Sequence, residues 1–130
     1  MISPAPLTQA TGVAHTRIYA YGAARGENFV DNDALVGPID SSDEWIRQRT
    51  GIVTRTRADA GTSALDLATD AASEAIASSG VSPEDIDLVI VATISNPQQT
   101  PSISAVVADR VGANPAAAYD LNAACAGFSY

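Results

Sequence analysis

A single cysteine, Cys125, stands in the stretch Asp120-Leu121-Asn122-Ala123-Ala124-Cys125-Ala126-Gly127-Phe128. Before it, Ala116-Ala117-Ala118-Tyr119 reads as a short strand; after it, Ala126-Gly127-Phe128 carries no turn signal and can open a tightly packed helix. A thiol at a strand-to-helix junction lies near free helix N-terminal amides, which favour the thiolate and so make a nucleophile. The same amides can hold the oxyanion formed when sulfur attacks a carbonyl. Ala123, Ala124 and Gly127 are small, leaving room for a bulky acyl chain to approach the sulfur. The competing reading is inert: a free cysteine among alanines is commonly a small buried hydrophobe. Local spacing leaves both readings open.

A second group with chemical potential is basic. All seven cationic residues are arginine, and Arg47, Arg49, Arg55 and Arg57 fall in one stretch with no acid between them. Guanidinium groups match phosphate geometry, so this island could hold a phosphorylated ligand. Equally, it could be a solvated surface whose arginines pair with Asp43, Glu44 and Asp59. Trp45 and Arg49 are four residues apart and share one helix face. An aromatic ring beside a guanidinium could hold an adenine base and its phosphates; alternatively Trp45 anchors the core while Arg49 reaches past it to water. His15, the only histidine, lies in an N-terminal stretch rich in Pro, Thr and Ala and reads as solvated.

The elements that must position these groups alternate. Residues 17–24 read as a first strand and Gly26-Glu27-Asn28 as a polar turn. Asp31-Asn32-Asp33 can cap a short helix through Leu35 and Val36, stopped by Gly37-Pro38. A helix follows from Ser41 or Ser42, with acids in its first turn, arginines in its last and Gly51 beyond its end. Residues 52–57 alternate as a half-exposed strand. The clearest helix spans 63–79, with a Ser63/Asp66 capping box and Gly80 as terminator. Its apolar face is mostly alanine, which predicts very close packing. Ser82-Pro83-Glu84-Asp85 forms a helical turn. Residues 86–93 are a continuous apolar run, as in a parallel strand buried on both faces. Thr100-Pro101 starts another helix that Gly112 ends. This order predicts an α/β layered structure with a mainly parallel sheet flanked by helices.

Bulk properties set the frame. With 130 residues, 46% of them hydrophobic, the chain can build one domain with a real core. A net charge of −8 argues against general nucleic-acid binding. One cysteine rules out an internal disulfide framework and fits a reducing, cytoplasmic setting. Residues 1–15 lack the basic and apolar regions of a secretory signal and read as a flexible tail. No apolar run is long enough to span a bilayer. No metal-ligand cluster, glycine-rich phosphate loop or hydride-cofactor motif is present, so no metal and no resident cofactor are expected.

Two segments resemble one family. Ser41-Ser42-Asp43-Glu44-Trp45-Ile46 with Arg49-Thr50-Gly51-Ile52 is similar to the signature near the start of β-ketoacyl-acyl-carrier-protein synthase III. The segment from Asp120 to Phe128 resembles that family's nucleophile segment, and residues 85–93 lie between the two as they do there. The resemblance spans roughly residues 16–130. It implies the thiolase fold, here as an N-terminal half ending just after the nucleophile, and a homodimer. It also implies that Cys125 accepts an acyl group from acyl-CoA and that malonyl-acyl-carrier protein then condenses with it by decarboxylation. This would be the initiating step of type II fatty-acid synthesis, with the CoA thioester as substrate.

By the same resemblance, Trp45 and Arg49 match positions that hold the CoA nucleotide, and Ser41 matches a nearby threonine. Thr100 stands where many members carry a phenylalanine closing the partner subunit's acyl pocket, so a smaller side chain there would admit longer or branched primers. The family's catalytic histidine and asparagine belong to a C-terminal half with no counterpart here, so the chain alone is expected to be inactive in condensation. Related readings are a thiolase-fold synthase that loads polyketide starters or makes hydrocarbons, or a non-catalytic half that binds CoA or a partner chain.

Overall fold

The computed structural model describes residue 12 and residues 15–130. The predicted tail over 1–15 therefore falls almost wholly outside the described residues; His15 is exposed. In chain order the elements are β1 (Asn28–Asp31), α1 (Asp33–Val36), α2 (Asp43–Thr50), β2 (Thr54–Arg57), α3 (Ala64–Ser79), β3 (Leu88–Ala92), α4 (Ile103–Arg110) and β4 (Ala117–Leu121). Short 3-10 helices cover Pro83–Asp85 and Ala124–Ser129.

The helices form where capping dictates. Ser42 Oγ accepts from Trp45 N at 3.1 Å to start α2, and Gly51, at φ 73°, ends it with its amide on Arg47 O. At α3 the predicted box is complete: Asp66 N donates to Ser63 Oγ at 3.2 Å while Asp66 Oδ2 accepts from Ser63 N at 2.9 Å. Helix α4 starts two residues later than expected, because Ser102 rather than Thr100 caps it, accepting from Ala105 N at 3.3 Å.

The strands make two pairs. β3 and β4 run parallel, with Ile90 opposite Tyr119 and Ala92 opposite Leu121, as the α/β reading requires. β1 and β2 run antiparallel, with Asn28 opposite Arg57. β1 was not foreseen: Asn28 reads as turn, and Phe29-Val30 is too short to show alternation.

The predicted strand over 17–24 does not form. Those residues lie along α3, where Ala23 N donates to Glu74 Oε2 at 2.7 Å, and neither strand pair takes them up. Gly22 makes this approach possible, since a Cβ there would collide with Ala71 O and Ala75 N of α3. The alanine face of α3 thus does pack closely, against irregular backbone.

The core sits where α4 lies on the β3–β4 pair. Ile103, Val107, Ala108 and Ala113 are buried, and Val89, Val91 and Ala118 turn toward them. The other face of the pair departs from the expectation of burial on both sides: Leu88 is 46% exposed, Ile90 42% and Tyr119 49%. Among the described residues α4 covers only one face, so the continuous apolar run has one half-open side. No helix of the described residues is long and apolar enough to cross a membrane.

Candidate active site

Cys125 follows β4 by four residues and lies in the first turn of the Ala124–Ser129 helix, with its free thiol exposed. In parallel α/β sheets the carboxyl ends of the strands are where ligands are met. Two local features shape the turn. Ala124, immediately before the cysteine, has φ 44°, a left-handed conformation uncommon for a residue with a Cβ. Gly127 is buried, and a Cβ there would come within 2.9 Å of Ala92 Cβ at the end of β3. Its small size lets this helix sit against β3, a packing reason beside the room for an acyl chain that the sequence suggests.

The loop that carries Cys125 is anchored through Asp120, the fourth residue of β4. Asp120 Oδ1 accepts from Ser104 N at 2.9 Å and Oδ2 from Ile103 N at 3.0 Å, so one carboxylate closes the N-terminus of α4. Burial pushes the Asp120 carboxyl up, but the donors of Ser104 and Ile103 outweigh it and hold the group below its ordinary value. Ile103 and Ser104 are buried, and Asp120 gives both of their amides a charged acceptor.

Thr100 is exposed, two residues ahead of the α4 cap, and its carbonyl accepts from Gln98 Nε2 at 2.8 Å. Asp120 therefore ties the chain leading from Thr100 to the chain leading to Cys125. A cleft of about 300 Å³ opens at these strand ends, lined by Thr93, Asn96, Gln98, Asp120 and Asn122 among others.

The second constellation lies on α2. The guanidinium of Arg49 stands 5.4 Å from the centre of the Trp45 ring, so the predicted shared face is real, and both residues are exposed. Trp45 is thus not a core anchor: Ile46 is the buried residue of α2. Ser41 lies just ahead of the helix, its Oγ buried and without a hydrogen-bond partner among the described residues.

The arginines of the island divide. Arg47 Nε pairs with Asp43 Oδ2 at 2.7 Å, and Arg55 Nη2 donates to Asn32 Oδ1 at 2.6 Å. Asp59 instead accepts from Asn28 Nδ2, at 2.6 Å. The Arg47 guanidinium, helped by Asn32, holds the Asp43 carboxyl below its ordinary value. The structure therefore joins Trp45 with Arg49 and anchors them through Asn32 to β2, while Cys125 is anchored through Asp120 to α4.

Asn32 and Asp120 were missed in the sequence. For Asp120 a signal existed: an acid inside an apolar strand on a helix-covered face must find donors. For Asn32 there was none, since an Asn between two Asp residues reads as an exposed helix cap.

No protein-family model matches the chain. Curated proteins do. The β-ketoacyl-[acyl-carrier-protein] synthase III of Tropheryma whipplei (strain Twist) is 53% identical over 116 residues, 89% of this chain and 36% of that protein. Among solved structures, the priming β-ketosynthase of the R1128 polyketide biosynthetic pathway matches with a TM-score of 0.84 at 36% identity, covering 95% of this chain and 37% of that one. The 3-oxoacyl-[acyl-carrier-protein] synthase III of Aquifex aeolicus matches with a TM-score of 0.82 at 38% identity, covering 89% of this chain and 37% of that one. The chain thus spans about a third of the length of the relatives it matches. In sequence and backbone the chain is similar to about a third of these β-ketoacyl-[acyl-carrier-protein] synthase III proteins and shares the corresponding part of their thiolase-type fold.

Proposed function

We propose that this chain is the acyl-accepting portion of a condensing enzyme that initiates type II fatty-acid synthesis, with Cys125 as its nucleophile. The observation that carries the reading is the exposed free thiol of Cys125 at the carboxyl end of a parallel strand, in a chain homologous to such synthases. The Cys125 thiolate attacks the carbonyl of acyl-CoA, and the tetrahedral oxyanion collapses to expel CoA thiolate. That thiolate takes up the proton Cys125 had given up, leaving an acyl thioester on Cys125. The Cys125 amide can serve as one donor to the oxyanion.

Malonyl-acyl-carrier protein then loses carbon dioxide, and its carbanion attacks the Cys125 thioester carbonyl. A carbon–carbon bond forms and the Cys125 thiolate leaves. The histidine and asparagine that assist decarboxylation come from a C-terminal half not among these residues. Trp45 and Arg49 receive the adenine nucleotide of CoA, a reading supported by the Arg49 guanidinium standing 5.4 Å from the Trp45 ring. Ser41, just ahead of α2, is assigned to the same site by the family resemblance. In a homodimer, Thr100 borders the acyl pocket of the second copy.

The test is CoA release from a panel of acyl-CoAs of increasing length, with Cys125→Ser as control. Release of about one equivalent per chain, absent in the variant, supports the reading; equal release from both overturns it. Similarity to the priming polyketide ketosynthase favours a second reading, starter loading for polyketides. Condensation by a chain extended to the length of its relatives with a polyketide carrier protein in preference to the fatty-acid carrier protein would select it.

A further inference from the structure

Trp45 and Arg49 share a face by their spacing on α2, but where that face points is set by how α2 is seated, and α2 buries a single residue, Ile46. The remaining seat is polar and centres on Asn32, which is 0% exposed. Its Nδ2 donates to Asp43 Oδ1 at 2.7 Å and to Ile52 O at 2.8 Å, and its Oδ1 accepts from Arg55 Nη2 at 2.6 Å. Asp43 in turn holds Arg47, one turn further along α2. One side-chain amide thereby joins the first turn of α2, the chain leaving α2 and strand β2. Both of its N–H groups and its oxygen are engaged.

We infer that Asn32 is the positioning residue of the nucleotide-binding face: its buried amide sets where α2 places Trp45 and Arg49, and so governs the affinity for CoA. This rests on the reading of α2 as the CoA-binding element. The requirement is specific to an amide. It must donate to a carboxylate and a carbonyl while accepting from a guanidinium, which neither a carboxylate nor an apolar side chain of similar size can do.

The experiment compares Asn32→Asp, Asp43→Ala and the paired exchange Asn32→Asp with Asp43→Asn. The single Asn32→Asp keeps the shape but sets an acceptor against Asp43 and the Ile52 carbonyl. The paired exchange again faces a donor with an acceptor across the 2.7 Å contact. Two readouts are taken: amide hydrogen exchange along α2 relative to α3, and titration with coenzyme A followed by the fluorescence of Trp45, the only tryptophan. Asn32→Asp is expected to speed exchange in α2 about tenfold over any change in α3 and to weaken CoA binding about tenfold. The paired exchange recovers part of both.

If Asn32→Asp fails to fold, Asp43→Ala removes the same link from the α2 side, and smaller shifts in the same direction are expected. Exchange in α2 that changes no more than in α3 overturns the proposal, as does unchanged CoA affinity or a paired exchange that recovers nothing. If the unaltered chain does not bind CoA, the nucleotide reading of α2 fails and the proposal with it, while the exchange data still show whether Asn32 holds α2.

Discussion

At Cys125 the decisive arrangement is a small-residue turn held against the end of a strand. Gly127 fits because Ala92 leaves no room for a Cβ, and Ala124 takes a left-handed φ of 44° to turn the chain into its helix. Gly127→Ala should therefore cost about 1–3 kcal/mol of stability, since neither Ala92 Cβ nor the helix backbone can yield cheaply. Urea denaturation checks this, and alkylation of Cys125 by iodoacetamide should change rate in the same variant as the turn is displaced. On α2, Arg49→Ala should weaken CoA binding while leaving the urea midpoint nearly unchanged, because the residue is exposed and its ring contact is a surface one. The identities of Cys125, Trp45 and Arg49 as candidates were legible from residue type and spacing. The positive φ at Ala124 was not, because alanine gives no local sign of such a conformation.

Among elements, the helices were the most legible, because their signals are local. Ser42 and Gly51 bracket α2, and Ser63, Asp66 and Gly80 bracket α3, at the positions the sequence indicates. Strands depend on neighbours that local sequence does not name. Residues 17–24 have strand composition but find no ladder among the described residues, whereas β1 has little strand character and pairs because β2 lies beside it.

The capping box also carries a pH dependence. The Ser63 hydroxyl and amide, and then Arg110, whose Nη1 stands 2.9 Å from Asp66 Oδ1, lower the Asp66 carboxyl from 3.8 to about 2. A group depressed on folding stabilises above its unfolded value and loses that contribution as pH falls toward its folded one. Part of the stability should thus be present above pH 3.8 and drain away between there and about pH 2. Ser63→Ala should cost about 1 kcal/mol at neutral pH through loss of the cap. It should also flatten the dependence of the urea midpoint over that acid range. An unaltered acid profile in the variant would remove Asp66 from the account.

Across the molecule, the α/β class was legible from the alternation of elements, and the parallel β3–β4 pair meets it. What the sequence described as a strand buried on both faces has, among the described residues, one covered face and one bearing the half-exposed Leu88, Ile90 and Tyr119. A contiguous apolar surface of this kind binds hydrophobic probes. Anilinonaphthalene sulfonate should bind this chain, and Ile90→Lys should reduce the signal without disturbing the α4 side of the pair. Equal probe binding by the variant would mean that the apolar surface lies elsewhere.

The central claim, that Cys125 is the acyl acceptor, is tested most directly by intact-mass measurement after incubation with acetyl-CoA, on this chain and on a chain extended to the length of its relatives. The account predicts one added acetyl group, labile to hydroxylamine as a thioester is, and absent from Cys125→Ser. An adduct only on the extended chain would show that acylation draws on residues beyond these. Absence of any adduct on both chains, or an adduct that persists in Cys125→Ser, would contradict the claim and leave Cys125 a structural residue of its turn.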